Sequence, residues 1–255
     1  MFNFFKKPPA MVIEDTPLDM ERIPKHIGII MDGNGRWAKK RNLPRSMGHK
    51  AGVETIRRII KECDRLGVKH LTLYAFSTEN WKRPKDEVSA LMTLLVEYLK
   101  RELDELHRSN VIVNYLGNIE KLPLLAQEEL NRAKEKTKNN TGVQMNLALN
   151  YGGREEIIHG VKEAIRHSLE GKLDPQDLTE ESFKEYLYTK GQPDPELIIR
   201  PSGELRISNF LLYQGAYSEL WFSNINWPDF EEVHLRMAIR DYQKRDRRFG
   251  GLKSE

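Results

Sequence analysis

The chain has 255 residues, which is long enough for one sizeable hydrophobic core, and neither a linker nor an internal repeat indicates a second domain. Its 41 lysine and arginine residues nearly balance 38 aspartate and glutamate residues, and the resulting net charge of +3 argues against a protein that binds nucleic acid. A single cysteine excludes an intrachain disulfide and favours a cytoplasmic location. No apolar run reaches the roughly 18 residues that indicate a membrane span.

The first 25 residues are predicted to form a flexible extension, and residues 26–255 a single domain. Three phenylalanines and two lysines occur within the first seven residues. Aromatic and cationic side chains together could contact an anionic membrane surface peripherally. The alternative is a frayed chain end that binds nothing.

Strand-like and helical segments alternate along the rest of the chain. Short apolar runs typical of strands occur at residues 26–31, 71–76, 111–116, 143–149, 197–199 and 220–222. Helical periodicity is clearest at 48–66, 85–109, 123–139, 153–170 and 229–247, with a shorter helix at 179–188. This alternation predicts an α/β domain with a mostly parallel, six-stranded central sheet flanked by helices on both faces.

The predicted helix at 85–109 has a wider apolar surface than one packing face needs. Its main stripe comprises Val88, Leu91, Met92, Leu95, Leu99, Leu103 and Leu106, and Leu94, Val96 and Tyr98 widen it. The sequence alone favours burial against several neighbouring elements. The alternative is that part of this surface lines an internal apolar cavity.

A polar cluster follows the first predicted strand and comprises Asp32, Gly33, Asn34, Gly35 and Arg36. The glycines let backbone NH groups approach an anion at the start of the next helix, while Arg36 can bind phosphate oxygens and Asp32 can ligate Mg²⁺. The cluster therefore predicts a diphosphate pocket. It matches neither common glycine-rich nucleotide-binding pattern, and an ordinary strand-to-helix turn is the alternative.

Two further polar clusters follow predicted strands. Residues 77–84 come directly after the strand at 71–76, and residues 200–208 after the strand at 197–199. Because the carboxyl ends of parallel strands share one edge of a sheet, such clusters could face one crevice. The arginines and serines of the later cluster can clamp a diphosphate. Glu219, before the last strand, could share a metal ion with Asp32 or be a solvated charge.

Six motifs in this order along the chain resemble those of the cis-prenyltransferases. They lie at residues 32–38, 48–52, 76–84, 150–154, 200–210 and 227–230, and the resemblance runs from residue 26 to residue 251. It implies repeated condensation of isopentenyl diphosphate onto an allylic diphosphate, expected to be farnesyl diphosphate, with each new double bond cis. The expected product is a long polyprenyl diphosphate such as undecaprenyl diphosphate, the precursor of the lipid carrier for cell-wall synthesis.

The resemblance also implies a role for each motif residue. Asp32 is implied to be the central catalytic residue and a ligand of Mg²⁺, with Glu219 as the second metal carboxylate. The residues implied to bind the allylic diphosphate are Gly33, Asn34, Gly35, Arg36, Arg45 and His49. The residues implied to form a mobile loop over the site are Ser77, Thr78, Glu79, Asn80 and Arg83. The aromatic residues implied to flank the prenyl groups are Trp37 and Trp81. Those implied to bind isopentenyl diphosphate are Arg200, Arg206, Ile207 and Ser208, and the protein is implied to be a homodimer.

Leu205 stands where some bacterial relatives have a histidine, so no metal role follows for it. Asn80 is the family's assigned proton acceptor, but a neutral amide is hardly basic, and orienting a diphosphate that itself takes the proton is the alternative. Residues 248–250 resemble a C-terminal motif that reaches the isopentenyl site.

Product length is expected to depend on the depth of the apolar cavity. Ala90, within the helix at 85–109, and Val143, at the start of a strand, are predicted to line it. Two other classes of protein are alternatives to this function. A nucleic-acid-binding module would use the basic run after residue 38, and a non-catalytic partner subunit would be expected to lose the Asp32 motif, which this chain keeps.

Overall fold

The fold is a six-stranded, entirely parallel sheet with helices packed on it, seen in a computed structural model that describes residues 17–246. The strands are β1 (His26–Ile30), β2 (His70–Ser77), β3 (Ile112–Leu116), β4 (Gln144–Tyr151), β5 (Leu197–Arg200) and β6 (Glu219–Phe222). Their order across the sheet is β3-β4-β2-β1-β5-β6. The predicted fold class and all six strands are confirmed.

The helices described in this range are α1 (Asn34–Lys40), α2 (Arg45–Leu66), α3 (Lys85–Arg108), α4 (Leu124–Thr137), α5 (Gly153–Leu169), α6 (Glu180–Phe183) and α7 (Glu232–Gln243). Prolines at 44, 84 and 123 directly precede α2, α3 and α4, because proline disfavours the helical conformation in the residue before it. The helix expected at 179–188 is shorter than predicted: α6 ends at Phe183, and a 3₁₀ turn, Lys184–Tyr186, follows it.

Two apolar cores lie on the two faces of the sheet. Alternate residues of a strand point to opposite faces, so Leu147 and Leu149 belong to the larger core while Ala148 belongs to the smaller one. Helices α2, α3, α4 and α7 contribute to the larger core. The smaller core includes Tyr151 and Phe210. Because the strands are buried on both faces, their sequences are short continuous apolar runs.

The parallel register brings three strand ends to one edge of the sheet. β1 pairs with β2 on one side and with β5 on the other. Asp32 follows β1, while Ser77 and Arg200 are the last residues of β2 and β5. The chain passes from β1 to one half of the sheet and returns for β5 on the other side, which makes this edge the expected ligand crevice.

The described part of the predicted extension, residues 17–25, contacts the domain. The Gln243 side chain donates a hydrogen bond to the Asp19 carbonyl at 2.7 Å. The aromatic and lysine residues of the predicted membrane contact lie outside the described residues, as do residues 248–250. Within residues 17–246, no helix combines the length and hydrophobicity needed to cross a bilayer.

A buried histidine in β1 should make folding stability depend on pH. His26 Nδ1 donates to the Pro193 carbonyl at 2.6 Å, and Nε2 accepts from the Thr72 hydroxyl at 2.7 Å, which fixes the neutral ring. Burial lowers the pKa of His26 to about 4. Below pH 6.5 the unfolded chain therefore takes up a proton that the folded protein does not, and stability falls toward pH 4.

We expect the His26 contribution to the free energy of unfolding to decrease by on the order of 3 kcal/mol between pH 6.5 and pH 4. Denaturant titrations of wild type and His26→Asn across this range measure the free energy of unfolding at each pH. We expect this free energy to depend less steeply on pH in the variant. His107→Asn, at the exposed end of α3, is the control. Equal slopes for His26→Asn and wild type would contradict the prediction.

Candidate active site

The turn between β1 and α1 holds the first polar cluster in a tight arrangement around Asp32. The Asp32 carboxylate accepts from the Gly33 backbone NH at 2.6 Å and from Arg200 Nη2 at 2.9 Å. Arg36 Nη2 lies 3.0 Å from the other side of the same carboxylate. Gly33 has a φ of 98°, and a Cβ at this position would lie 2.5 Å from Ser202 Oγ, so only glycine fits.

Asp32 is ionised at neutral pH. Burial alone would raise the pKa of its carboxyl, but hydrogen bonds from Arg200 and Arg36, together with their charges, outweigh burial and lower the pKa. The arginines are in turn held in place by the carboxylate. An anionic ligand with two phosphates finds here two guanidinium groups whose positions are already set.

The segment after β5 carries the second pair of arginines. Arg200 is buried, and its Nη1 also donates to Ser208 Oγ at 2.7 Å and to the Arg206 carbonyl at 2.5 Å. Arg206 is exposed and pairs with Glu204, which also accepts from Arg36 Nη1 at 2.9 Å. Glu204 thus bridges two arginines from different clusters.

Backbone strain is concentrated in this same segment. The non-glycine residues with a positive φ between positions 200 and 211 are Ser202, Ser208, Asn209 and Leu211. Each such residue costs free energy that the surrounding contacts must offset, and strained backbone of this kind clusters at ligand sites. Within this segment the Ser208 hydroxyl accepts from Arg200 at the end of β5, while Asn209 contacts Glu79 after β2 and the Arg154 NH after β4.

Residues Thr78–Lys82, after β2, form a 3₁₀ turn and not an extended loop. The Ser77 NH donates to Asn80 Oδ1 at 3.1 Å, so the Asn80 side chain caps this turn. Glu79 accepts from Asn209 Nδ2 at 2.9 Å, and Trp81 Nε1 donates to Asn150 Oδ1 at 2.7 Å. These contacts attach the segment to both neighbouring clusters. Its mobility stays a prediction.

Glu87, in the first turn of α3, is a site residue that the sequence interpretation missed. Its Oε1 lies 2.9 Å from Arg83 Nη1, 3.1 Å from Arg45 Nε and 3.6 Å from His49 Nε2. Burial and the charge of Arg83 lower the pKa of His49 to about 4, although Glu87 raises it, so this histidine is neutral at pH 7. The spacing of Arg83 and Glu87, four residues apart, was the available signal.

The clusters surround one pocket of about 1240 Å³. Its charged lining consists of six cationic side chains, Arg36, Lys39, Arg45, Arg83, Arg200 and Arg206, and three carboxylates, Asp32, Glu79 and Glu204. Its apolar lining includes Val53, Ile56, Leu91, Leu94, Leu95, Tyr98, Leu147 and Leu149. The remaining predicted residues on this wall are Gly33, Asn34, Gly35, His49, Ser77, Asn80 and Ser208. A cationic region and an apolar region therefore share one pocket.

Some predicted residues are not on the pocket wall. Trp37 Nε1 donates to Asp229 at 2.6 Å, and the Arg41 guanidinium lies over its ring, so this indole faces away from the pocket. Trp81 lies edge-on to Phe76, which lines the pocket in its place. Thr78 and Ile207 are likewise absent from the wall, and Ile207 packs against the smaller core.

Glu219 is not close to Asp32 within one chain, so one chain alone does not bring the two carboxylates to a shared metal ion, and the metal role of Glu219 stays a prediction. Glu219 begins β6 and is level with Leu197, which is level with Ile27. Because all strands are parallel, the five residues from Ile27 to Asp32 separate the two carboxylates by about 16 Å along the sheet. Glu219 pairs with Arg245 at 2.6 Å.

The two positions proposed for the cavity floor are corrected. Ala90 is exposed on α3 and does not line the pocket. Val143 is buried in the larger core at the start of β4 and does not line the pocket either. The strand residues that do line it, Leu147 and Leu149, lie further along β4.

The donor set fits Mg²⁺ only in a mode that includes ligand phosphates. Among residues 17–246, no group of three or more histidine, cysteine, aspartate or glutamate side chains is placed to hold a metal ion. Asp32 offers one hard carboxylate oxygen donor beside the phosphate-binding arginines. Mg²⁺ commonly binds one or two carboxylates together with substrate phosphates and water, which matches this site.

The structure is an α/β fold whose pocket suits a molecule with a polyanionic end and an apolar end. Residues 30–250 match the family model "Putative undecaprenyl diphosphate synthase". An isoprenyl transferase of Clostridium tetani (strain Massachusetts / E88) is 62% identical over 255 residues, which cover 99% of this chain and 100% of that protein. The isoprenyl transferase of Streptococcus pneumoniae (strain ATCC BAA-255 / R6) is 52% identical over 99% of this chain and 100% of its own length.

A solved structure supports the same assignment. Lavandulyl diphosphate synthase from Lavandula x intermedia, in complex with dimethylallyl diphosphate, matches with a TM-score of 0.88 and 35% sequence identity, over 90% of this chain and 99% of that chain. The chain therefore belongs to the undecaprenyl diphosphate synthase family of cis-prenyltransferases, as the resemblance implied.

The Glu87 carboxylate forms ion pairs with Arg45 and Arg83, which are cations that a diphosphate would bind. Its negative charge should therefore oppose diphosphate binding. We expect Glu87→Gln to lower the Kd for inorganic diphosphate about two- to fivefold at low salt, since each partly exposed ion pair is worth about 0.2–1 kcal/mol. Isothermal titration calorimetry measures this Kd, and Glu97→Gln, on the exposed side of α3, is the control. Weaker binding by Glu87→Gln would mean that Glu87 organises the cations and does not compete for them.

Proposed function

We propose that this protein elongates farnesyl diphosphate by repeated cis-condensation of isopentenyl diphosphate and releases undecaprenyl diphosphate. One observation carries the proposal: the cationic cluster at the strand ends and the apolar lining formed by α2, α3 and β4 belong to a single pocket. A growing polyprenyl diphosphate has the same two parts. The solved relative that holds dimethylallyl diphosphate, which is an allylic diphosphate, supports the same ligand class here.

The two diphosphates are assigned to different cations. The allylic diphosphate lies against Gly33, Arg36 and the uncapped start of α1, with Arg45 and His49 nearby. Isopentenyl diphosphate lies against Arg206 and Ser208. Arg200 lies between the two sites because it contacts both Asp32 and Ser208.

The reaction breaks the allylic carbon–oxygen bond, and its electron pair leaves with the diphosphate. The double bond of isopentenyl diphosphate then forms the new carbon–carbon bond, and one proton is lost. Arg36 and Arg200 stabilise the negative charge that develops on the leaving group. Asn80 holds the 3₁₀ turn over the pocket and orients the substrate, and the departing diphosphate is the base that accepts the proton.

Mg²⁺, when bound by Asp32 and the phosphates, would supply further neutralisation of the leaving group. The segment Thr78–Lys82 excludes water from the allylic centre, because it carries side chains that join the clusters after β4 and β5.

The protein is further proposed to be a cytoplasmic homodimer with peripheral membrane contact for its lipid product, which would serve as the precursor of the cell-wall lipid carrier. An apolar stripe on α5 supports the dimer. Ile158, Val161, Ile165 and Leu169 recur every three or four residues and are 55%, 40%, 54% and 84% exposed. A second copy of this chain would cover such a face.

Removal of the Asp32 carboxylate should nearly abolish turnover while the fold is retained. Wild type is incubated with labelled isopentenyl diphosphate, farnesyl diphosphate and Mg²⁺, and the extracted lipid is sized. We expect Asp32→Asn, which keeps the shape, and Asp32→Ala to lower kcat by about a hundredfold or more. Asp177→Ala, on a distant exposed turn, is the control. Near wild-type rates for both Asp32 variants would refute the role of Asp32, and no polyprenyl product from wild type would refute the proposed function.

Arg206 should act on one substrate and not on the other. Its side chain is exposed and pairs with Glu204, whereas Arg200 is buried and pairs with Asp32. We expect Arg206→Ala to raise KM for isopentenyl diphosphate about tenfold to a hundredfold, since a charge-assisted contact is worth roughly 1.5–3 kcal/mol. KM for farnesyl diphosphate should change much less. Arg132→Ala on α4 is the control, and equal effects on both substrates would show that the two sites are assigned wrongly.

A further inference from the structure

A second, smaller cavity of about 320 Å³ lies between α2 and α3 and shares one residue, Tyr98, with the pocket of the candidate active site. Its charged lining consists of Arg57, Lys61, Asp64, Glu102 and Glu105. The rest of its lining is Ile60, Tyr98, Leu106, Ser109 and Val111. The two cavities therefore differ in character, because the lining next to Tyr98 in the first is apolar and half of the lining of the second is charged.

Tyr98 stands at the far end of the active-site pocket. Residues of α3 that line the pocket run from Leu91 to Tyr98, while the cationic cluster lies beside the start of α3. With a rise of about 1.5 Å per residue, Tyr98 is about 20 Å along the helix from Lys85. Tyr98 is 4% exposed and lines both cavities, so it lies between them.

The hydroxyl of Tyr98 is buried and has no hydrogen-bond partner among the described residues. A hydroxyl buried without a partner is destabilising, and phenylalanine would avoid that cost in an apolar floor. The nearby charges are those of Glu102 and Arg57, which line the second cavity. A polar cavity of this size can hold water that satisfies such a hydroxyl. The Tyr98 ring therefore borders the apolar lining of the active-site pocket, and its hydroxyl borders the charged second cavity.

The charges beyond Tyr98 are fixed in place. Glu102 is 2% exposed and accepts from Arg57 Nε at 2.9 Å and from Arg101 Nε at 2.6 Å. A hydrocarbon chain that entered this cavity would displace water from these ionised groups, which is strongly unfavourable. The second cavity is therefore unfavourable for an apolar chain. The Tyr98 ring also separates this cavity from the active-site pocket.

We propose that Tyr98 is a specificity-determining residue that limits the length of the polyprenyl product. This inference rests on the proposed function, since it requires a chain that grows into the apolar part of the pocket. The growing end stops at the Tyr98 ring, because further growth must displace the ring and then place hydrocarbon among the charges around Glu102. Shortening this one side chain frees the volume of its ring at the end of the apolar lining.

The test compares product lengths by mass spectrometry, with farnesyl diphosphate and isopentenyl diphosphate as substrates. We expect Tyr98→Ala to yield products longer than those of wild type by at least one five-carbon unit, and Tyr98→Trp to yield shorter ones. Tyr98→Phe keeps the ring and should retain the wild-type length. Tyr115→Ala on β3, a tyrosine outside both cavities, is the matched control and should also retain it.

The outcomes separate this inference from the function on which it rests. Wild-type length from an active Tyr98→Ala enzyme, or longer chains from Tyr98→Phe or Tyr115→Ala, would overturn the role of Tyr98 and leave the proposed function intact. If Tyr98→Ala fails to fold by circular dichroism, Tyr98→Leu opens part of the same space and is judged by the same criterion. A wild-type protein that makes no polyprenyl diphosphate would instead overturn the proposed function and this inference with it.

Discussion

The ion pair between Asp32 and Arg200 joins the two halves of the sheet at the edge where the site lies. Asp32 follows β1, Arg200 ends β5, and the parallel pairing of these strands places the two side chains 2.9 Å apart. Arg200 is 5% exposed, so removing its partner would leave a nearly buried charge uncompensated. The positions of Arg36 and Ser208 depend on the same pair, because each contacts one of its members.

Around this pair the site is built from cations whose mutual repulsion is balanced by a few carboxylates. Asp32, Glu87 and Glu204 each contact two or more cationic or histidine side chains from different elements. The carboxylates pair with the guanidinium groups before any ligand arrives, so a diphosphate must compete with them for these cations. A diphosphate then exchanges one set of anionic partners for another. Such an exchange suits an enzyme that must release diphosphate after every condensation.

The apolar part of the pocket results from the breadth of the α3 stripe. Leu99 and Leu103 pack in the larger core, whereas Leu91, Leu94 and Leu95 line the pocket, so one helix serves both purposes on adjacent parts of its surface. The charged second cavity lies between the same helix and α2. The helix thus borders three environments: a close-packed core, the apolar lining of the pocket and a charged cavity.

The sequence by itself determined the order and type of the elements, because apolar periodicity and helix-starting prolines are local signals. It also determined which residues gather at the strand ends, since any parallel sheet brings its carboxyl edges together. Only the tertiary structure decided where Trp37 points, how far Glu219 lies from Asp32, and that Ala90 faces solvent. Those outcomes depend on rotamer, strand register and the angle at which α3 crosses the sheet. Contacts between segments distant in the chain fix these features, and no pattern within one segment contains them.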